Sequence, residues 1–255
     1  MVSPTARRTL PPEGRWLLRT PRPDAEARLF CMPFAGTGAA SFRDWPGRIG
    51  PLEVCPVQLP GRENRIREEG YHDFDSFATD ASRALAPHFD RPYALFGHCM
   101  GALLCYALVV RIQEEGGRLP DRLYLSSCLV PSRGFFGLFR PSMSDERLGE
   151  ELGRVIRRTG GGDIPVDLLP LALRVLRNDV EMCRTYRPPG PYPLKPPITA
   201  IGWRDDPDVG PRDLHEWDAY GQVTHHLLDG DTLTYLTAPT ALMEILAGDF
   251  SPAVR

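Results

Sequence analysis

The sequence predicts an α/β fold in which a mostly parallel central sheet is flanked by helices. Short apolar runs alternate along the chain with stretches of helical periodicity, which is the order that βαβ units produce. The 255 residues are 42% apolar and 25% charged, as in a soluble chain built around one large domain, and this composition excludes wholesale disorder. No run of about 18 apolar residues occurs, so the sequence offers no membrane-spanning helix.

Six apolar runs are interpreted as buried strands, because each is short and rich in aliphatic or aromatic residues. In chain order they are 28–32, 52–57, 93–96, 123–127, 198–202 and 225–228. Helices are predicted over 74–89 and 100–113, where apolar residues recur at helical spacing, and over 239–246.

Two segments depart from this rhythm. Residues 1–25 are rich in Pro and Arg and are interpreted as a flexible N-terminal arm before a domain that spans 26–255. The stretch of about 135–190 is helical, with an N-cap signal at Ser144. We interpret it as a lid inserted over the carboxyl edge of the sheet. The alternative is that its helices simply continue the wrap around the sheet.

Charge and cysteine usage exclude several classes of function. A net charge of −3 gives no global attraction to nucleic acid. No secretory signal or membrane span is present, so a cytoplasmic location is expected. The six cysteines form no C-x-x-C pair and no zinc spacing with histidine, so no metal site is predicted. All except Cys99 are expected to be buried free thiols.

Cys99 stands in the pattern Gly97-His98-Cys99-Met100-Gly101, between a predicted strand and an apolar helix. A nucleophile elbow requires this strand–turn–helix context, with small residues on either side of the tight turn. Because exposed N–H groups and the helix dipole favour negative charge there, we expect the thiol pKa to be lowered. The alternative is a buried cysteine in a Gly-rich turn.

Six segments between about residues 28 and 246 carry recognisable motifs. They are 33–45, with Pro33-Phe34-Ala35-Gly36; Pro60-Gly61-Arg62-Glu63; the elbow; Ser144-Asp145-Glu146-Arg147-Leu148; Leu176-Arg177-Asn178-Asp179; and 197–207. Together they resemble type II thioesterases of polyketide and nonribosomal peptide assembly lines. The resemblance implies the α/β-hydrolase fold, with no bound cofactor and a substrate carried on the phosphopantetheine of an acyl or peptidyl carrier protein. It implies an oxyanion hole from the N–H groups of Ala35 and Met100, and it makes Asp206 the acidic member of the triad. We expect a monomer that binds neither nucleic acid nor membrane.

The chain departs from that family at two positions. Cys99 stands where the family usually has serine, and the place of the triad histidine falls on Thr232, or on Asp231 if the alignment slips by one. His225 and His226 on the last predicted strand are candidate replacement bases, but adjacent strand residues point to opposite faces, so only one of them could approach Cys99.

These departures favour acyl transfer over hydrolysis. A cysteine depends less on a base than a serine does, whereas water attacking an acyl-enzyme needs general-base help that is worth about 10²–10⁴-fold. We therefore expect Cys99 to form an acyl-enzyme that transfers or cyclises its acyl group. Two alternatives are an editing thioesterase that hydrolyses aberrant acyl groups and an inactive homologue that only binds carrier proteins.

Two further sets of residues suggest contacts with the substrate or partner. Arginines near the P-G-R-E segment and in the lid (Arg62, Arg65, Arg67, Arg154, Arg157, Arg158, Arg174, Arg177) offer a docking face for an acidic carrier protein. The alternative is that these arginines lie on solvated helix faces. Phe135, Phe136 and Phe139 are candidates to line an acyl pocket, or simply to pack the lid.

Overall fold

The computed structural model describes residues 16–134, 137–158 and 162–250. Seven strands form one sheet in the order β2-β3-β1-β4-β5-β6-β7. Their bounds are β1 Ala27–Met32, β2 Arg48–Ile49, β3 Leu52–Pro56, β4 Tyr93–His98, β5 Arg122–Ser126, β6 Ile198–Trp203 and β7 Val223–Leu228. All neighbours pair in parallel except β2 and β3, which form an antiparallel edge. The mostly parallel sheet is confirmed; β2 is too short to carry a sequence pattern and was not predicted.

Helices flank the sheet. They are α1 Phe74–Leu85, α2 Met100–Glu114, α3 Asp145–Arg158, α4 Leu169–Thr185, α5 Pro211–Leu214 and α6 Thr240–Gly248. Asp73 caps α1 by accepting a hydrogen bond from the N–H of Ser76 at 2.7 Å. The side chains of α2 are buried almost all round, because this helix packs along β1, β4 and β5 while α1 packs against it.

The register of the parallel strands creates the site. Met32 at the end of β1 lies beside Gly97, His98 at the end of β4 beside Ser126, and Ser126 beside Ile201. The segments that follow β1, β4, β5 and β6 therefore emerge at one edge, which is where open α/β sheets place their ligands.

The helices α3 and α4 cover this edge. Both fall within the stretch predicted as a lid, and the hydroxyl of Ser144 accepts a hydrogen bond from the N–H of Arg147 at 3.2 Å, as its N-cap pattern predicted. A Cβ placed on Gly36, just beyond β1, would lie 2.9 Å from Leu176 Cδ1 and 3.3 Å from Leu152 Cδ1. The predicted acyl-pocket residues Phe135 and Phe136 lie outside the described residues.

The predicted flexible arm is too long. Trp16 is fully buried, its carbonyl accepts a hydrogen bond from the N–H of Gln58 at 2.8 Å, and Leu17 bridges Val57 in antiparallel fashion. The guanidinium of Arg65 lies 5.5 Å from the centre of the Trp16 ring. A large aromatic anchor inside the Pro/Arg-rich segment thus joins it to the core; residues 1–15 lie outside the described part of the chain. No described helix has the length and apolarity needed to cross a bilayer.

Candidate active site

Cys99 occupies the sharp turn between β4 and α2. Its backbone has φ 51° and ψ −118°, a strained conformation for a residue other than glycine, and its N–H donates to the Ser126 carbonyl at 2.9 Å. A Cβ on Gly97 would come within 2.1 Å of the Gly101 carbonyl oxygen, and one on Gly101 within 2.4 Å of the Met32 oxygen. Only glycine fits at both positions, which is the steric requirement of a nucleophile elbow.

A cavity of about 30 Å³ lies against Cys99. It brings together Ala35, Cys99, Asp206 and Thr232, four of the residues that sequence reasoning singled out. The volume holds only about two water molecules, so the site is closed. Gly137, unpredicted by sequence, covers the thiol: a Cβ at this glycine would lie 3.2 Å from Cys99 Sγ.

The pKa of the Cys99 thiol differs from the sequence expectation. The pKa is raised to about 12, mainly by burial and to a smaller extent by the nearby carboxylates of Asp206 and Asp208, and the opposing effect of the Met100 backbone N–H is too small to reverse this. Cys99 retains some accessible surface, so the shift reflects crowding by apolar neighbours rather than complete enclosure. The lowered pKa that we predicted is therefore wrong for this closed state.

Asp206 follows β6 and turns its carboxylate into the site. Oδ1 accepts hydrogen bonds from the N–H groups of Asp208 at 2.9 Å and Val209 at 3.2 Å, while Oδ2 accepts one from the Ser127 hydroxyl. Asp205, by contrast, is exposed. Asp206 and Asp208 both line the cavity, and Asp208 is also paired with Arg140. The role of Asp206 as the triad acid stays a prediction.

Two hydroxyl groups, those of Ser127 and Thr232, line the same cavity as Asp206 and Cys99. Ser127 has φ 47°, and its Oγ lies 3.2 Å from Thr232 Oγ1. Asp231 turns away and pairs with Arg158 of the lid at 3.1 Å. Of the two, Thr232 lines the cavity, and its correspondence to the family histidine stays a prediction. Sequence reasoning missed Ser127; its place directly after β5, the neighbour of the elbow strand, was the signal that could have found it.

His98 supports this arrangement from below. Its Nε2 lies 3.2 Å from Thr232 Oγ1, its Nδ1 lies 3.0 Å from Ser126 Oγ, and its ring stacks on Tyr235 at a centroid distance of 3.9 Å. Burial lowers the pKa of His98 to about 3, which keeps the ring neutral. The residue packs under the elbow, as expected.

The candidate bases His225 and His226 do not reach Cys99. His226 aligns with Ile201, Ser126 and His98 across three neighbouring strand pairs, a separation of about 14 Å at about 4.8 Å per strand. Nε2 of His226 lies 3.1 Å from Asp249, and Nε2 of His225 lies 2.7 Å from Asp218. The replacement-base prediction is therefore wrong for both residues in this structure.

The predicted arginine face is also smaller than expected. Arg62 and Arg65 are buried; Arg62 pairs with Asp179 at 2.7 Å and Arg65 with Glu68 at 2.6 Å. The exposed members of the predicted set are Arg67, Arg154, Arg157, Arg158 and Arg174, and Arg177 is half-buried. The two buried arginines serve the interior and are not available to a carrier protein.

Two other sets of residues were considered in the sequence: the remaining cysteines and the side chains that can bind a metal. Cys31, Cys55, Cys105, Cys128 and Cys183 are buried free thiols, as predicted. Cys183 of α4 also lines the cavity next to Cys99. Among the described residues, one group of metal-type ligands comes together, His215, Asp218 and His225, with ligand atoms within 4.8 Å of one another. This group lies at β7, three strands along the sheet from β4, the strand that precedes Cys99.

Comparison with known proteins identifies the family. The model of the thioesterase domain family matches residues 27–250. The linear gramicidin dehydrogenase LgrE of Brevibacillus parabrevis is 33% identical over 86% of each chain. The type II thioesterase BorB of the borrelidin cluster is 31% identical over 91% of this chain and 96% of its own, with a TM-score of 0.77. RedJ, a thioesterase from Streptomyces coelicolor, is 30% identical over 98% and 97%, with a TM-score of 0.75. These likenesses confirm the α/β-hydrolase fold, and the chain belongs to the thioesterase domain family.

Proposed function

We propose that this protein is a type II thioesterase of polyketide or nonribosomal peptide biosynthesis in which Cys99 takes an acyl group from a carrier protein. The acyl group then passes to a second nucleophile by transfer or ring closure. The observation that carries the proposal is the position of Cys99, on a strained elbow in the same closed cavity as Ala35 and Asp206.

The relatives support the class of pathway. BorB is a type II thioesterase of a borrelidin cluster, and RedJ is a thioesterase of the prodiginine pathway. LgrE is named a dehydrogenase. Here, however, β1 runs into a turn and a short 3₁₀ helix (Ala39–Phe42) rather than into the long helix that a dinucleotide fingerprint opens. Hydride transfer is therefore not proposed.

The first step is a thioester exchange. Cys99 Sγ attacks the carbonyl carbon of the carrier thioester and forms a new C–S bond, the pantetheine C–S bond breaks, and the departing sulfur takes up the proton that Cys99 gives up. The N–H groups of Ala35 and Met100 would hold the oxygen that becomes negative in the tetrahedral intermediate. Because one thioester is broken and one is made, the step is nearly isoenergetic.

Substrate entry activates the nucleophile. The closed cavity of about 30 Å³ has no room for an acyl chain, so the segment around Gly137 must move aside when substrate binds. That movement exposes Sγ to water and removes the main cause of its raised pKa, which is burial. The thiol is thus protected at rest and ionises more readily when the site opens.

The second step disfavours water. An attacking water molecule must lose a proton, and the hydroxyl groups of Ser127 and Thr232, which line the cavity, are poor proton acceptors. Neutral His98 already engages Ser126 and Thr232, and its pKa of about 3 makes it a poor proton acceptor at neutral pH. A thiol, an amine or an internal nucleophile therefore competes well against water for the acyl group.

The test is to incubate the protein with an acyl-pantetheine thioester and follow its intact mass. An acyl adduct is expected on the wild type and none on Cys99→Ala. The matched control is Cys183→Ala, which removes the other thiol of the cavity and is expected to keep the adduct. Steady release of free acid without an adduct would favour the editing hydrolase instead. Neither adduct nor acid, with carrier binding retained, would favour the inactive binding protein and contradict the proposal.

A further inference from the structure

We infer that Asp179 of the lid helix α4 is a positioning residue for the oxyanion hole, because it fixes the turn that presents the Ala35 N–H group. This inference rests on the proposed function, since it assigns a task to the same oxyanion hole. It joins the lid to the catalytic chemistry through one buried carboxylate.

Asp179 is fully buried and makes three hydrogen bonds. Its Oδ2 accepts from the Gly36 N–H at 2.8 Å and from Arg62 Nη1 at 2.7 Å, and its Oδ1 accepts from Arg62 Nη2 at 2.8 Å. The bidentate arginine balances the charge of this carboxylate in the interior. The hydrogen bond from the Gly36 N–H is not needed to balance the charge of the carboxylate, so it needs another explanation.

The segment that contains Gly36 is a tight turn. The carbonyl of Phe34 accepts hydrogen bonds from the N–H of Thr37 at 3.2 Å and from its hydroxyl at 2.9 Å. Gly36, the third residue of the turn, has φ +75°, which is the signature of a type II turn. Because a trans peptide points its C=O and N–H in opposite directions, fixing the Phe34 carbonyl also fixes the direction of the Ala35 N–H.

Asp179 selects this turn over its alternative. Type I and type II turns differ by a flip of the central peptide, here the one that carries the Gly36 N–H. Asp179 accepts a hydrogen bond from that N–H, and Leu176, one turn earlier on α4, blocks any side chain at Gly36. The helix therefore holds the central peptide in the orientation seen here. The Ala35 N–H belongs to the preceding peptide, which keeps its direction in both turn types, so Asp179 acts on it by anchoring the position of the turn.

Two residues in and just before the P-G-R-E segment, Arg62 and Gln58, hold the rest of the turn. Arg62 Nη1 also donates to the Thr37 carbonyl at 2.9 Å, and Gln58 Oε1 accepts from the Ala39 N–H at 2.9 Å. Arg62 thus contacts both Asp179 and the turn. The turn is thus clamped at Gly36, Thr37 and Ala39, and the lid helix α4 supplies the clamp at Gly36, next to Ala35.

The experiment compares two double variants that leave no unpaired buried charge. Arg62→Met with Asp179→Leu removes the acceptor for Gly36, whereas Arg62→Met with Asp179→Asn keeps an oxygen there. The first is expected to slow acylation of Cys99 by acyl-pantetheine by about 10²-fold, the usual effect of losing one oxyanion donor. The second is expected to recover most of that loss. Asp145→Asn, which alters an exposed lid carboxylate paired with Arg177, should behave like the wild type.

Two further readouts separate positioning from a merely structural role. Alkylation of Cys99 by iodoacetamide forms no oxyanion and should keep its wild-type rate in both double variants. Amide hydrogen exchange of Gly36, followed by NMR, should accelerate in the leucine variant and recover in the asparagine variant. Equal losses in alkylation and acylation, or unchanged Gly36 exchange in the leucine variant, would overturn the inference. If the wild type forms no Cys99 adduct, the proposed function fails instead, and Gly36 exchange still decides the role of Asp179.

Discussion

At the scale of single residues, Cys99 stands at the tip of a sharp turn, yet the pKa of its thiol is raised. The elbow presents its sulfur at the start of α2, yet apolar cover and two nearby carboxylates outweigh the Met100 N–H group and raise the thiol pKa to about 12. The helix dipole argument from sequence fails here because it omits the lid segment, whose proximity to Sγ no local pattern reveals.

The rate of Cys99 alkylation should therefore keep rising with pH. The thiolate is the reactive form, so a pKa near 12 predicts an increase of about tenfold per pH unit between pH 7 and 10. Iodoacetamide kinetics read by intact mass, with Cys99→Ala to subtract other thiols, measure this. A plateau below pH 9 would mean that the thiolate is stabilised by a group or state that the closed structure lacks.

His98 should make the fold acid-sensitive. Its pKa falls from an ordinary value of 6.5 to about 3 on burial, so folding favours the neutral ring. The stability from this group is complete above pH 6.5 and is lost as the pH falls towards 3, by up to about 5 kcal/mol. Urea unfolding of the wild type and His98→Gln over this range should give curves that converge at low pH; parallel curves would contradict the buried neutral state.

At the scale of elements, the strand–turn–helix unit of β4 and α2 depends on two close approaches. Gly97 meets the carbonyl of Gly101, and Gly101 meets the carbonyl of Met32, which holds α2 tightly against the end of β1. These contacts join backbone to backbone, so no side chain can adjust to relieve a clash.

Gly101→Ala is accordingly expected to lower the free energy of unfolding by about 2–3 kcal/mol or more, because its Cβ would lie 2.4 Å from the Met32 oxygen. Gly47→Ala is the control, since nothing lies within 4 Å of a Cβ placed there. It should change the value by less than about 0.5 kcal/mol. Urea titration followed by circular dichroism measures both, and similar effects for the two variants would contradict the close-packed elbow.

Local patterns predicted these elements well and their long-range contacts poorly. The strand before Cys99 and the flanking glycines follow from periodicity and turn chemistry, which act over a few residues. The burial of Trp16 depends on a partner about forty positions away at Gln58, and that of Arg62 on Asp179 in the lid. From composition alone, Trp16 was assigned to a flexible arm and Arg62 to a docking face.

At the scale of the whole molecule, the shared edge of the sheet decides which residues meet. It brings Asp206 and Thr232 to the elbow and leaves His226 about three strand spacings away. Sequence spacing made His226 a candidate because it counts residues along the chain, whereas reach across a sheet is set by strand order. In the proposed function, this edge of the sheet holds a sulfur nucleophile, Cys99, an acid, Asp206, and the hydroxyl groups of Ser127 and Thr232 in place of a base.

The most direct test of that account is the fate of the loaded enzyme. Protein acylated at Cys99 is freed of excess thioester and then followed by intact mass in buffer alone and in buffer that contains a pantetheine thiol. The account predicts that the adduct persists in water and is discharged rapidly by the thiol, with the acyl-pantetheine thioester as product. Rapid loss of the adduct in buffer alone, with release of free acid, would show that water is activated without a histidine and would contradict it.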